Sequence, residues 1–304
     1  MRRIAGMVVV FLAGAIFMTG CSDGDNGNGN KVYQVSTLAG TAGSIGSTDG
    51  TGAAARFNEP LGITTDGTNL YVADTSNNTI RKVVIATGVV TTLAGTAGFA
   101  GSTDDTGAAA RFHGPYGITT DGTNLYVTDT LNHTIRKVVI ATGVVTTLAG
   151  TAGSFGSTDG TGAAARFYWP SKITTDGTNL YVADRPNHTI RKVVIATGVV
   201  TTLAGTAGFA GSADGTGAAA RFYEPFGITT DGTNLYVADT SNNTIRKVVI
   251  ATGVVTTLAG TAGSSGSTDG TGVAARFHLP YDITTDGTNL YVADSGNNTI
   301  RVID

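Results

Sequence analysis

The string Ala-Arg-Phe-x-x-Pro recurs five times, with its arginine at Arg56, Arg111, Arg166, Arg221 and Arg276. Each copy follows the last by 55 residues, with no insertion or deletion. A unit of this size cannot enclose a core alone, so neighbouring copies must cover one another's apolar faces. The order inside a copy is constant. A first strand, GITTD (62–66), meets an Asp-Gly-Thr-Asn turn, and NLYVAD (69–74) follows. A polar turn, TSNN (75–78), leads to TIRKVVI (79–85), and an ATG turn (86–88) precedes VVTTLAG (89–95). Asp-Gly between apolar runs is a hairpin signal, and the runs are rich in the Val, Ile, Thr, Leu and Tyr that pleated surfaces accept.

Four antiparallel strands per unit, repeated in series, predict a β-propeller. A solenoid predicts polar capping repeats at its ends instead. Here the first and last units are incomplete in complementary ways: VYQVSTLAG (32–40) has the form of a fourth strand, and TIRVID (299–304) that of a third. The expectation is therefore an all-β, closed propeller of five four-stranded blades, with 32–40 pairing against 299–304 to complete the last blade. The roughly 20 residues between fourth and first strands (96–115, for example) read as ordered. Asp49-Gly50-Thr51 offers a turn, Gly52–Phe57 a helical turn, Phe57 a plug between blades and Pro60 a strand start.

Composition narrows the function. Charged residues make up 13% of the chain, about half the ~25% usual in globular domains. The formal net charge is −3, so there is no basic footprint for nucleic acid. Arg2 and Arg3 precede an apolar stretch, Ile4–Met18, too short for the roughly 20 residues of a spanning helix. This reads as an export signal over 1–20. It ends in Met-Thr-Gly-Cys (18–21), which holds the chain's single cysteine and resembles the lipobox of bacterial lipoproteins, with Met18 in place of the usual Leu. The resemblance implies lipid on Cys21. Residues 21–31 then form a polar Gly/Asn/Asp tether, and 32–304 the propeller of an envelope protein in the periplasm or at the outer membrane.

The string RFNEPLGITTDGTNLYVADTSNNTIRKV (56–83), with its P-x-G-I, LYVAD and N-x-x-IRK elements, resembles an NHL repeat. NHL propellers are commonly six-bladed, whereas five units are counted here. The resemblance implies a fold and a range of uses, among them protein- or RNA-binding modules, sensor domains and occasional lyases, and fold alone does not select one.

Comparison of the five copies with one another is more informative. The first-to-second-strand turn, DGTN, is identical in all five, and the ATG turn in every complete copy. Differences gather at 44/45, 58/59 and 61/62, at 75, 76 and 78, and at their counterparts. Successive strands are antiparallel, so these two variable loops emerge on one face and the constant turns on the other. The variable face carries His113, His133, His188 and His278, the only tryptophan (Trp169), and both glutamates (Glu59 and Glu224). Lys172, Arg185 and Asp282 also lie there, with Tyr116, Tyr168, Tyr223, Phe226 and Tyr281. Amphipathic rings with a few charges are what binding surfaces use. Blade three is the most divergent, through Tyr168, Trp169, Lys172, Arg185 and His188.

Other patterns point to structure. Asp74, Asp129, Asp184, Asp239 and Asp294 each end a second strand and read as Asx-type turns rather than calcium ligands. The histidines lack zinc-site spacing. Asn-x-Thr at Asn77, Asn132 and Asn187 fits a glycosylation pattern that the lipobox makes idle. No hydrolase elbow, phosphate loop or dinucleotide fingerprint occurs. The expected function is thus a non-enzymatic, lipid-anchored module recognising a protein, peptide or glycan, with no cofactor, metal or catalytic residue. The alternative is a propeller enzyme, lyase- or lactonase-like, with its site at the channel mouth.

Overall fold

A computed structural model describes residues 24–25, 31–32 and 35–304. The export signal, Cys21 and most of the tether lie outside the described residues. The chain divides into two compact units, Met1–Thr37 and Leu38–Asp304. In the first, Gly24–Asp25 pairs antiparallel with Lys31–Val32. The second is a five-bladed β-propeller.

Blade one holds β1 (Pro60–Thr65), β2 (Asn69–Asp74), β3 (Thr79–Val84) and β4 (Val89–Ala94). Blade two repeats it as β5 (Pro115–Thr120), β6 (Asn124–Asp129), β7 (Thr134–Val139) and β8 (Val144–Ala149). Blade three has β9 (Pro170–Thr175), β10 (Asn179–Asp184), β11 (Thr189–Val194) and β12 (Val199–Ala204). Blade four has β13 (Pro225–Thr230), β14 (Asn234–Asp239), β15 (Thr244–Val249) and β16 (Val254–Ala259). Blade five has β17 (Pro280–Thr285), β18 (Leu290–Asp294) and β19 (Thr299–Ile303). All pairs are antiparallel. The connection before each first strand contains the expected helical turn, a three-residue 3-10 segment such as Gly52–Ala54. In blades one to four a two-residue strand before it, such as Gly50–Thr51, pairs with the outermost strand.

The core lies between blades. Tyr71, Ala73, Ile80 and Ala94 of blade one pack on Phe112, Ile118, Leu125 and Val127 of blade two. The same seam recurs from two to three, three to four and four to five. Burying one such phenylalanine is worth roughly 1.5–3 kcal/mol, which is why the Ala-Arg-Phe string marks every unit. The first strands crowd the axis: a Cβ on Gly62 would stand 2.1 Å from the Tyr116 carbonyl oxygen of the next blade. Only glycine allows that approach.

The expected pairing of 32–40 with 299–304 that would complete blade five is not seen among the described residues. Among the described residues that sheet has three strands, and 35–40 contribute none. Leu38–Gly40 is nonetheless seated against blade one as Leu93–Gly95, the end of the preceding blade's fourth strand, is seated against blade two. The Gly40 N–H donates to the Gly52 carbonyl at 3.0 Å, as Gly95 does to Gly107 at 3.1 Å. The fifth seam is only partly packed among the described residues, with Ala39 against the cluster of Ala55, Val72, Val83 and Val90. Ile63 is 63% exposed, whereas Ile118, Ile173, Ile228 and Ile283 are 4–6% exposed. On the other side Ile300 of β19 is 74% exposed, beside a cavity of about 830 Å³ where complete blades have a fourth strand.

Candidate functional site at the channel mouth

Each variable loop is seated on a buried ion pair. Arg191 is fully buried, and its Nη1 donates to Asp184 Oδ2 at 2.8 Å. Its Nη2 donates to Asp159 at 2.8 Å, and the Phe167 ring lies 5.1 Å from the guanidinium carbon. Asp184 also accepts from the Asn187 amide and, through Oδ1, from the Tyr168 N–H. The pattern recurs with Asp74–Arg81, Asp129–Arg136, Asp239–Arg246 and Asp294–Arg301. The aspartate ring is thus a set of interior salt bridges rather than Asx-type turns, a correction to the sequence reading. A buried carboxylate without its cation would cost several kcal/mol. Burial pushes Asp129, Asp184 and Asp239 up to about 6, against the pull of arginine, asparagine and backbone N–H.

This anchoring presents the next residue in a left-handed conformation. Glu59, Trp169, Glu224 and Leu279 have φ of 52°, 43°, 49° and 49°, and only blade two uses a glycine, Gly114. Non-glycine residues pay for such backbone, and strained positions cluster at binding sites. The preceding blade steadies four of these five positions. Asn78 and Asn243 side-chain oxygens accept the N–H of Gly114 and Leu279, at 2.8 Å each. His133 and His188 do the same through Nδ1, for Trp169 at 3.2 Å and Glu224 at 3.1 Å. These two histidines are latches between blades and must carry their proton on Nε2. Burial pushes both below the ordinary histidine range, with the nearby His113 adding to the effect on His133 and Glu224 opposing it on His188.

Four blades converge on the mouth of the channel. Tyr116, Trp169, Ser171, Arg185, Phe226 and Tyr281 line a pocket of about 210 Å³. Phe226 and Tyr281 have ring centroids 3.9 Å apart, Tyr116 meets Phe226 edge-on at 5.2 Å, and Arg185 lies over Phe226 at 5.4 Å. Trp169 and Tyr281 stay 44% and 37% exposed. Arg185 Nη2 donates to Glu224 at 2.9 Å. Lys172 spans the channel, with its Nζ 2.9 Å from Asp282 and 3.0 Å from the Leu61 carbonyl, and lies 5.6 Å over the Tyr116 ring. Burial, then the Tyr281 hydroxyl and the Asp282 carboxylate, push the Tyr116 phenol above its ordinary range. Beneath, the five first strands line a channel of about 380 Å³ with isoleucines and threonines such as Ile173 and Thr174.

Of the residues expected at this face, Tyr116, Trp169, Lys172, Arg185, Glu224, Phe226, Tyr281 and Asp282 come together at the mouth. Tyr168 adjoins Trp169 at 5.2 Å, and Tyr223 adjoins His188 at 5.6 Å. Glu59, hydrogen-bonded to Ser76, and the dispersed His113 and His278 do not join them. Leu131, Ser171 and Thr130 belong to the pocket without having been expected. All three stand at variable positions, the counterparts of 61, 75 and 76, which was the available signal. Among the described residues no group of three His, Cys, Asp or Glu could hold a metal ion.

No family model matches the chain. It is 30% identical to human NHL repeat-containing protein 2, over 85% of its own length and 40% of that protein. It is also 30% identical to Protein SUPPRESSOR OF QUENCHING 1, chloroplastic, of Arabidopsis thaliana, over 87% of its own length and 27% of that protein. The chain has NHL-repeat homologues. It spans well under half the length of these relatives. Among solved structures, an auxiliary nutrient binding protein from Bacteroides ovatus superposes with a TM-score of 0.55 at 20% identity, over 88% of this chain and 76% of that one. A chain of a nidogen/laminin complex superposes with a TM-score of 0.58 at 19% identity, over 83% and 78%. At such identities the likeness is one of fold, and the fold is the NHL-like propeller.

Proposed function

We propose that this chain is an exported NHL-family propeller, anchored through lipid on Cys21 in the cell envelope, that binds its ligand at the channel mouth on the variable face. The observation that carries this reading is the convergence of aromatic rings from four blades and an arginine on one pocket, with Trp169 and Tyr281 left half-exposed. Aromatic and arginine anchors in a concave, mostly apolar site are what binding energy concentrates in. The left-handed backbone at Trp169 and Glu224 supports it, since strain is kept where a side chain must be aimed. That a neighbour in fold is called a nutrient binding protein and another sits in a protein complex agrees with a binding role for such a scaffold.

Trp169 is the chain's single tryptophan, so its fluorescence reports directly on this mouth. Ligand entry should shift its emission, and Trp169→Ala should weaken binding by ~2 kcal/mol, as hot-spot truncations do. Binding that survives both Trp169→Ala and Tyr281→Ala would place the ligand elsewhere. The anchor is tested separately: Cys21→Ser should lower the share of the protein in the membrane fraction, since the lipid on that residue is the attachment proposed.

A further inference from the structure

The ligand class can be narrowed, on the reading that the mouth is the binding site. Aromatic side chains do not stop at the pocket. Phe155, 62% exposed at the rim of blade three, stacks on Tyr168 with centroids 4.8 Å apart. Tyr168 meets Trp169 at 5.2 Å, and Trp169 opens into the pocket that Phe226 and Tyr281 close. Rings therefore form a continuous wall from the rim to the channel mouth, longer than a single small molecule needs.

The charges along this wall are neutralised in pairs. Arg185 is bound to Glu224 and Lys172 to Asp282, and both pairs remain reachable by solvent. At the mouth itself, among the described residues, a polyanion would find both cations already paired, and the chain as a whole carries a formal charge of −3. An extended peptide docks by pairing its backbone with a free main-chain edge. Here the edge is spent: the Tyr168 N–H is on Asp184, the Trp169 N–H is on His133, and Pro170 has none. What remains is flat apolar surface next to paired donors and acceptors. A guanidinium beside a carboxylate donates and accepts at once, which suits adjacent hydroxyl groups and adds no net charge.

We infer that the wall from Phe155 to Tyr281 binds a neutral saccharide chain, with the C–H faces of its rings against the aromatics and its hydroxyls on the Arg185–Glu224 and Lys172–Asp282 pairs. A chain of several sugars covers the whole wall, whereas a monosaccharide fills only the pocket.

The test is titration of the full chain, followed by Trp169 emission and by calorimetry. The probes are neutral gluco-, xylo-, manno- and chito-oligosaccharides from monomer to hexamer, a hexagalacturonate and an apolar hexapeptide. At least one neutral series should shift the emission. Its affinity should rise about tenfold or more from monomer to hexamer and stay unchanged as salt is raised. Arg185→Met should weaken the hexamer about tenfold, the loss expected of one charge-assisted contact, and Trp169→Phe should retain binding. The inference fails if no neutral series shifts the emission, or if the hexagalacturonate or the peptide binds more tightly than every neutral hexamer. Should the peptide win and yet lose its binding in Tyr281→Ala, the ligand class is wrong and the site is right. If whatever binds is indifferent to both Trp169→Ala and Tyr281→Ala, the site itself is wrong.

Discussion

The two faces of this propeller are made by the same repeat, yet they differ in where their hydrogen bonds go. On the constant face each turn satisfies itself. Asp176 accepts from the Thr178 and Asn179 backbones, the Asn179 amide and the Tyr181 hydroxyl, all within six residues. In blade five the Asn289 and Thr288 N–H groups and the Tyr291 hydroxyl hold the equivalent Asp286 down to about 2. On the variable face the partners lie in other blades: His133 holds Trp169, His188 holds Glu224, and Lys172 reaches blades one and five. A self-contained turn has one good solution, so its copies stay identical. A loop whose partners lie across a seam can differ from copy to copy, and five different loops can assemble one asymmetric pocket.

The comparison breaks most visibly at the frame that both faces share. Arg191→Ala leaves Asp184 buried without its cation and should cost about 3–5 kcal/mol of stability in denaturant unfolding. The same change at Arg301 in blade five should cost less, because its partner Asp269 is 94% exposed while Asp159 is 48% exposed. Equal losses at the two sites would mean that burial does not set the strength of these pairs.

A smaller effect separates the histidine latches from the asparagine ones. In the fold His133 and His188 sit below the ordinary value near 6.5, so the unfolded chain takes up protons first as pH falls. Their contribution is complete above about 6.5 and is lost as pH drops from there through the folded values. His133→Asn with His188→Asn installs the residue that Asn78 and Asn243 already use. It should flatten the decline in melting temperature between pH 7.5 and 5.5 by roughly 2–4 °C, the size of a ~1 kcal/mol change in a domain of this class. An unchanged slope would show that the latches do not titrate in this range.

Much of this was legible in the sequence because it recurs. The blade count, strand limits, helical turn and the division into two faces all follow from a period that never slips, and of the divergent residues of blade three Trp169, Lys172 and Arg185 stand at the mouth. Two features were not. Arg81 and its counterparts sit in TIRKVV, where a charged residue in an apolar strand looks like a solvent-facing position. Only the three-dimensional fold brings Asp74 and Asp49 to it. Nor could strand pattern alone show that β19 lacks a fourth partner among the described residues while Leu38–Gly40 keeps its seat against blade one, since repeat spacing records which strands belong together and not whether each pair forms.

The central claim, that one face binds and the other holds the frame, is tested most directly along one strand and the turn that follows it. β17 runs from Tyr281 at the mouth toward Thr288 in the constant turn. With the tightest of the saccharide and peptide probes, calorimetry should give a loss of ~2 kcal/mol for Tyr281→Ala. Thr288→Ala should change binding by less than ~0.5 kcal/mol, as surface substitutions do. Equal losses from the two substitutions, or a larger loss from Thr288→Ala, would contradict the account.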